Sequence, residues 1–137
     1  FIPPNVFIIG LMNLADRSLA LVDYALRRRF AFISLTPKYK SEIFTKWLKD
    51  RNMKNELINL IVDRMSWLNE EIGKDNLLGQ NFCLGHSYFC PNKIDFSELN
   101  RSWYENIIKS EIIPLIQEYW FDNSDRVSEL RERLLTP

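Results

Sequence analysis

The sequence predicts an α/β segment followed by an all-α domain. Two apolar runs, within Asn5 to Met12 and from Phe30 to Leu35, flank a stretch of helical periodicity, a β-α-β pattern. From Tyr39 onward apolar residues recur at helical spacing through most of the chain. Thr36-Pro37 separates the two regimes, so residues 1–36 read as the end of an α/β core and 37–137 as a helical domain.

In the first strand Val6, Phe7, Ile8 and Ile9 are continuously apolar, as in a parallel sheet covered on both faces. Pro3 and Pro4 fix its start. Asn13 to Ser18 is polar and turn-like, and Asp16 or Ser18 can cap the next helix by accepting from its first-turn amides. Leu19, Val22 and Leu26 give that helix one buried face. Two strands do not make a stable parallel sheet. The remaining strands are expected upstream of Phe1, and the chain starts with Phe rather than Met. Isolated apolar edges of this kind predict oligomers or poor solubility.

Tyr39 to Lys54 and Asn55 to Lys74 read as two helices, with stripes at Ile43, Phe44, Trp47 and Leu48, then at Leu57, Ile61, Met65, Leu68 and Ile72. The Gly-punctuated connector that follows contains an expected extended piece, Asn81 to Tyr88. Ser97 to Phe121 reads as a third helix that Pro114 should kink or break, because proline lacks the amide donor. Asp125 to Leu135 is a last helix, seeded by Ser124.

Eighteen basic and eighteen acidic side chains cancel, which excludes whole-chain attraction to nucleic acid or an acidic membrane but leaves room for a local basic patch. No window reaches the roughly 18 apolar residues of a membrane span, and the N-terminus lacks signal-peptide character. Cys83 and Cys90 are too few for a disulfide scaffold and fit a reducing cytoplasm. With His86 between them they are not in CxxC spacing, and they read as packed thiols rather than metal ligands.

The chemistry-bearing residues cluster early. Asn13 lies just beyond a buried strand, where open α/β sheets bind ligands. Its amide could accept from water while donating to a phosphate oxygen, or could simply close the turn. Arg27, Arg28 and Arg29 fan over about 200° of helix. Asp23, four residues before Arg27, makes Arg27 the structural member. Two readings stay open for the rest: cations favoured at a helix C-terminus, or Arg28 or Arg29 reaching a phosphate on a neighbouring subunit.

"MNLADRS" (Met12 to Ser18), "ALRRRF" (Ala25 to Phe30) and "GHSYF" (Gly85 to Phe89), in that order, resemble the signatures of the McrB family, with a departure only at Leu14. The family comprises AAA+ GTPase motor subunits of modification-dependent, 5-methylcytosine-directed restriction systems. The resemblance implies the C-terminal end of an AAA+ P-loop NTPase core (β-α-β) followed by a mainly helical lid. It implies that Asn13 is the sensor 1 residue orienting the attacking water, with Asp16, Arg17 and Asp23 in a polar network beside it. Arg28, or failing it Arg29, is implied as the finger acting in trans, and His86 and Ser87 as lid residues near the nucleotide. Tyr88 and Phe89 read as core.

The same resemblance implies GTP, or alternatively ATP, with magnesium in the full-length protein. It implies a ring, a hexamer by resemblance, an McrC-like nuclease subunit, DNA bound through a domain outside this sequence, no membrane, and a cytoplasmic location. No GxxxxGK[ST] loop and no strand ending in an Asp-Glu pair occurs in the sequence, so these residues alone are expected to be inactive. The competing readings are a remodelling or chaperone-like AAA+ ATPase and a non-enzymatic helical interaction domain.

Overall fold

A computed structural model describes residues 3, 5–13, 28–91 and 99–136. The chain divides into two compact units, Phe1–Ser34 and Leu35–Pro137.

In the first unit residues 6–13 run without regular secondary structure, and residues 28–30 form a turn and bend. Neither expected strand is present among the described residues. The physical reason is that a strand is made by its pairing partner, and the described residues supply none. The side chains keep the extended alternation: Phe7, Ile9 and Leu11 are 90%, 89% and 93% exposed, while Val6, Ile8 and Met12 are 51%, 61% and 42% exposed. The second run is equally uncovered, with Ile33 at 84%. The intervening helix, with Leu19, Val22, Leu26 and its candidate caps, lies outside the described residues, as does Arg27.

The second unit is helical. α1 spans Glu42–Lys49, shorter than the periodicity predicts at both ends. Ser41 starts it, its hydroxyl accepting the Phe44 amide at 3.2 Å. Asn52, with φ of 58°, stops it. There the Met53 and Asn52 amides turn back to the Leu48 and Lys49 carbonyls, a closure that needs a left-handed residue, which asparagine tolerates. Tyr39, expected in the helix, instead packs in the core ahead of it.

α2, Asn55–Lys74, buries Leu57, Ile58, Ile61, Met65, Leu68 and Ile72 along one face, the predicted stripe plus Ile58. Asp75 ends it. One carboxylate oxygen accepts the Leu77 and Leu78 amides at 2.8 and 3.2 Å, and the other accepts Trp120 Nε1–H at 2.9 Å. The expected extended piece at 81–88 is replaced by two 3-10 turns, Gln80–Phe82 and His86–Phe89. Gly79, at φ of 75°, turns the chain into the first. The Gln80 side chain folds over Gly73, with its side-chain amide nitrogen 2.4 Å from where a Cβ would stand.

The third helical region is continuous but changes winding. α3 covers Arg101–Ile107, a π turn Ile108–Ile112, and α4 Ile113–Tyr119. Pro114 does not break it. Pro114 sits in the first turn of α4, and the Ile113 amide before it reaches back five residues to the Ile108 carbonyl. The core requires this too. Tyr104, Ile108, Ile112, Ile116 and Trp120, spaced by four, are 0%, 0%, 0%, 0% and 8% exposed. In an uninterrupted α-helix that spacing drifts about 40° per step, so the two ends would face nearly opposite ways. The wider turn takes up the drift.

α5, Ser124–Leu135, is capped by Asn123, whose side chain accepts the Arg126 amide at 3.0 Å, rather than seeded by Ser124 as the sequence suggested. Its C-terminal carbonyls are closed by side chains from other helices. Tyr104 OH donates to Leu134 O at 3.0 Å, Arg101 to Leu135 O at 2.7 Å, and Arg64 to Thr136 O at 3.3 Å. Burial pushes the Tyr104 phenol up to about 12, so it remains a donor at physiological pH. At the other end Arg126 bridges Glu71 of α2 and Glu129 of α5. Among the described residues no helix is long and apolar enough to cross a membrane.

Candidate functional site

Four bonds hold the backbone at Leu84 and the Gly85-His86-Ser87 segment that follows it. Asn69, on α2, uses its whole amide on one neighbour: Nδ2 donates to Leu84 O at 2.9 Å, and Oδ1 accepts Leu84 N–H at 2.7 Å. That fixes the backbone one residue before Gly85. Tyr39 OH donates to Gly85 O at 2.7 Å. Burial holds the Tyr39 phenol far above the usual tyrosine range, so it is a fixed donor. The Lys38 amide donates to His86 Nδ1 at 3.4 Å.

The His86 ring stands edge-on to Phe44 and Tyr39, with centroids 5.2 and 6.2 Å apart. An accepting Nδ1 leaves the proton of neutral imidazole on Nε2. The half-buried His86 therefore presents an N–H. Ser87 beside it is exposed, and its hydroxyl has no hydrogen bond among the described residues. Phe89 closes the segment as a core residue, stacked on Tyr104 at 5.9 Å, as the sequence predicts, whereas Tyr88 is only half-buried.

A surface cavity of about 470 Å³ adjoins this segment, lined by residues 36–41 and by Ser66, Asn69, Glu70, Gln80 and Cys83. Its lining is mixed, more apolar than polar, and Lys40 and Glu70 pair across 3.4 Å within it.

Cys83 donates its S–H to Asn69 O and Cys90 to His86 O, each at 3.4 Å. Burial raises both thiols above the ordinary cysteine value, which disfavours the thiolate that metals bind. Among the described residues no three His, Cys, Asp or Glu side chains are grouped as a metal site.

Of the other candidates, Asn13, Arg28 and Arg29 are exposed residues of the first unit, the arginines in its turn. Asp16, Arg17 and Asp23 lie outside the described residues. The residues that sequence reasoning missed are Asn69, Tyr39 and Lys38. Only Asn69 left a signal, as an amide bordering the apolar stripe between Leu68 and Ile72.

Residues 60–128, which contain Asn69, the whole Gly85–Phe89 segment and Trp120, match the alpha-helical lid domain of McrB. The chain belongs to the McrB family. It is 41% identical over 136 residues to the Type IV methyl-directed restriction enzyme EcoKMcrB subunit of Escherichia coli K12, an alignment covering 98% of this chain. The chain spans about 30% of the length of that relative. Residues 60–128 of the helical unit thus correspond to an McrB lid, and hydrogen bonds from Asn69 within them and from Tyr39 ahead of them hold the start of the GHSYF segment.

Proposed function

We propose that the chain is the sensor, finger and lid portion of a GTP-hydrolysing motor that drives modification-dependent DNA restriction. The observation that carries this reading is the similarity to a restriction-enzyme subunit along 98% of the chain, with "MNLADRS", "ALRRRF" and "GHSYF" in one order.

The donor set suits an anionic nucleotide. Phosphoryl transfer is catalysed mainly by positioning and by neutralising charge. Asn13 would orient the attacking water, with Asp16, Arg17 and Asp23 arranging it. Arg28 would reach the nucleotide of the adjacent subunit, with Arg29 in reserve, because a guanidinium stays charged and matches phosphate oxygens. His86 and Ser87 keep an N–H and a hydroxyl unspent by the lid's own fold, which supports their turning toward nucleotide. The phosphate-cradling loop and the carboxylates that hold magnesium are assigned to the rest of the full-length protein. That protein would work in the cytoplasm as a ring, a hexamer by resemblance. It would act with an McrC-like nuclease subunit, on DNA held by another domain.

Turnover of GTP and of ATP by the full-length protein tests the reading. GTP hydrolysis is expected, with Arg28→Ala lowering it about 10³-fold or more and partial recovery when mutant subunits are mixed with subunits retaining the arginine. ATP turnover without GTP turnover would refute the GTPase assignment. Unchanged turnover in Arg28→Ala would refute the finger.

A further inference from the structure

The cavity beside the GHSYF segment shares walls with the residues that hold it. Lys38, Tyr39 and Asn69 line the cavity, and the same three bond His86, Gly85 and Leu84. The segment proposed above to face nucleotide therefore stands next to a hollow of about 470 Å³, within the range of small-molecule sites.

Several polar side chains in that wall are already spent. Tyr39 OH donates to Gly85 O, the Asn69 amide serves Leu84, the Ser41 hydroxyl accepts the Phe44 amide, and Cys83 donates to Asn69 O. Lys40 and Glu70 differ. Among the described residues each bonds only the other, at 3.4 Å, with side chains 68% and 58% exposed. A surface pair of this kind contributes little to stability. A ligand that recruits both takes little from the lid's fold.

We propose that Lys40 and Glu70 read the Watson–Crick edge of a guanine base held against this cavity, and so select the nucleotide. The inference rests on the GTP-hydrolysing reading above and names the residues that make the choice. Guanine presents an acceptor, O6, directly beside two donors, N1–H and N2–H2. A cation and a carboxylate in contact with each other match that edge. Lys40 Nζ donates to O6, and the Glu70 carboxylate accepts from N1–H and N2–H2 in parallel. Adenine offers N6–H2 beside an unprotonated N1. It gives the carboxylate one donor instead of two, and only with the order of the two partners exchanged. The mixed lining suits a flat ring, apolar on its faces and polar at its edge. A phosphate group would satisfy Lys40 but would be repelled by Glu70, so the pair favours a neutral edge that carries both kinds of group.

Equilibrium binding of ribose-labelled GTP, ITP, XTP and ATP to the full-length protein with magnesium provides the test. The parent should bind GTP about tenfold or more tightly than ITP, which lacks the N2 amine. Glu70→Gln should weaken GTP by about tenfold or more and close the gap between GTP and ITP. A glutamine amide presents one acceptor and one donor, which fit N1–H and O2 of xanthine. The same variant should therefore bind XTP about tenfold more tightly than the parent does, a gain not open to a lid that has lost its fold. Lys40→Met should weaken GTP and ITP alike, by about fivefold or more, because both carry O6. Unchanged GTP and ITP affinities in both variants, or no gain for XTP in Glu70→Gln, would overturn the base-reading site while leaving the GTPase reading intact. A parent that binds and turns over ATP but not GTP would overturn both.

Discussion

Replacing Asn69 by alanine isolates the bond pair that holds the GHSYF segment. The side chain makes hydrogen bonds of 2.9 and 2.7 Å to the two backbone groups of Leu84, and Leu84 is only 5% exposed, so water is poorly placed to substitute for the lost amide. Each such bond contributes about 1 kcal/mol net, and leaving a buried partner unsatisfied adds to the cost. Together they put the expected loss at roughly 2–3 kcal/mol. For a domain of this size that corresponds to a fall in Tm of roughly 10–20 °C. Urea unfolding followed by far-ultraviolet circular dichroism and tryptophan fluorescence measures it. Asn69→Asp keeps the acceptor for the Leu84 amide but sets a carboxylate against the Leu84 carbonyl, so it should be at least as damaging at neutral pH. A loss below about 0.5 kcal/mol in Asn69→Ala would show that the segment stands without its clamp, and the reasoning would fail.

Trp120→Phe removes the indole N–H that donates to Asp75 at 2.9 Å while keeping most of the ring's bulk. A bond to a carboxylate is worth about 1.5–3 kcal/mol. The expected loss is at the lower end of that range, because Asp75 retains the Leu77 and Leu78 amides; equilibrium unfolding of the variant against the parent checks it. The bond from Arg126 holds the Glu71 carboxyl below its ordinary value, and the Leu77 amide, with smaller help from Trp120, does the same for Asp75. Both folded-state values lie below the unfolded ones. Their stabilisation is therefore complete above the ordinary carboxylate range and is lost as pH falls through the depressed values. Urea midpoints measured between about pH 7 and pH 3 should fall on the acid side, and Arg126→Gln should flatten that fall. An identical slope in the variant would remove Arg126 from the account.

The helical half was legible because its signals are local. Leu57, Ile61, Met65, Leu68 and Ile72 repeat at a spacing that only a helix buries on one face, and α2 has the bounds that the pattern gives. Misjudged features depend on single residues rather than on a repeating pattern. The start of α1 turns on the Ser41 hydroxyl, and its end on the left-handed backbone at Asn52, which a periodic pattern does not encode. The 3-10 turns replaced an expected extended piece because Gly79, at φ of 75°, turns the chain there. The β pattern of residues 5–12 was legible as a continuous apolar run, yet pairing is a property of two segments, and a pattern in one of them cannot supply the other. Tyr39 and Lys38 were invisible for the same reason, and Asn69 showed only as an amide bordering the stripe: each acts on a segment 46, 48 or 15 residues away.

Those long-range bonds also separate structural from chemical polar groups within the lid. Tyr39, Asn69 and Asp75 each direct their polar atoms to backbone or indole partners inside the lid, and Tyr104, Arg101 and Arg64 close the carbonyl end of α5. A side chain committed in this way has little left for a ligand, since recruiting it would cost the fold the bond it gives up. In the GHSYF segment the rule divides neighbours. His86 commits Nδ1 to the Lys38 amide and keeps Nε2–H, whereas the Ser87 hydroxyl makes no bond among the described residues. Replacing Ser87 should therefore cost little stability, whereas replacing His86 also removes an aromatic contact at 5.2 Å from Phe44. This difference makes Ser87 the cleaner probe of what the lid binds: a loss of nucleotide affinity in Ser87→Ala at unchanged stability has no structural explanation available to it.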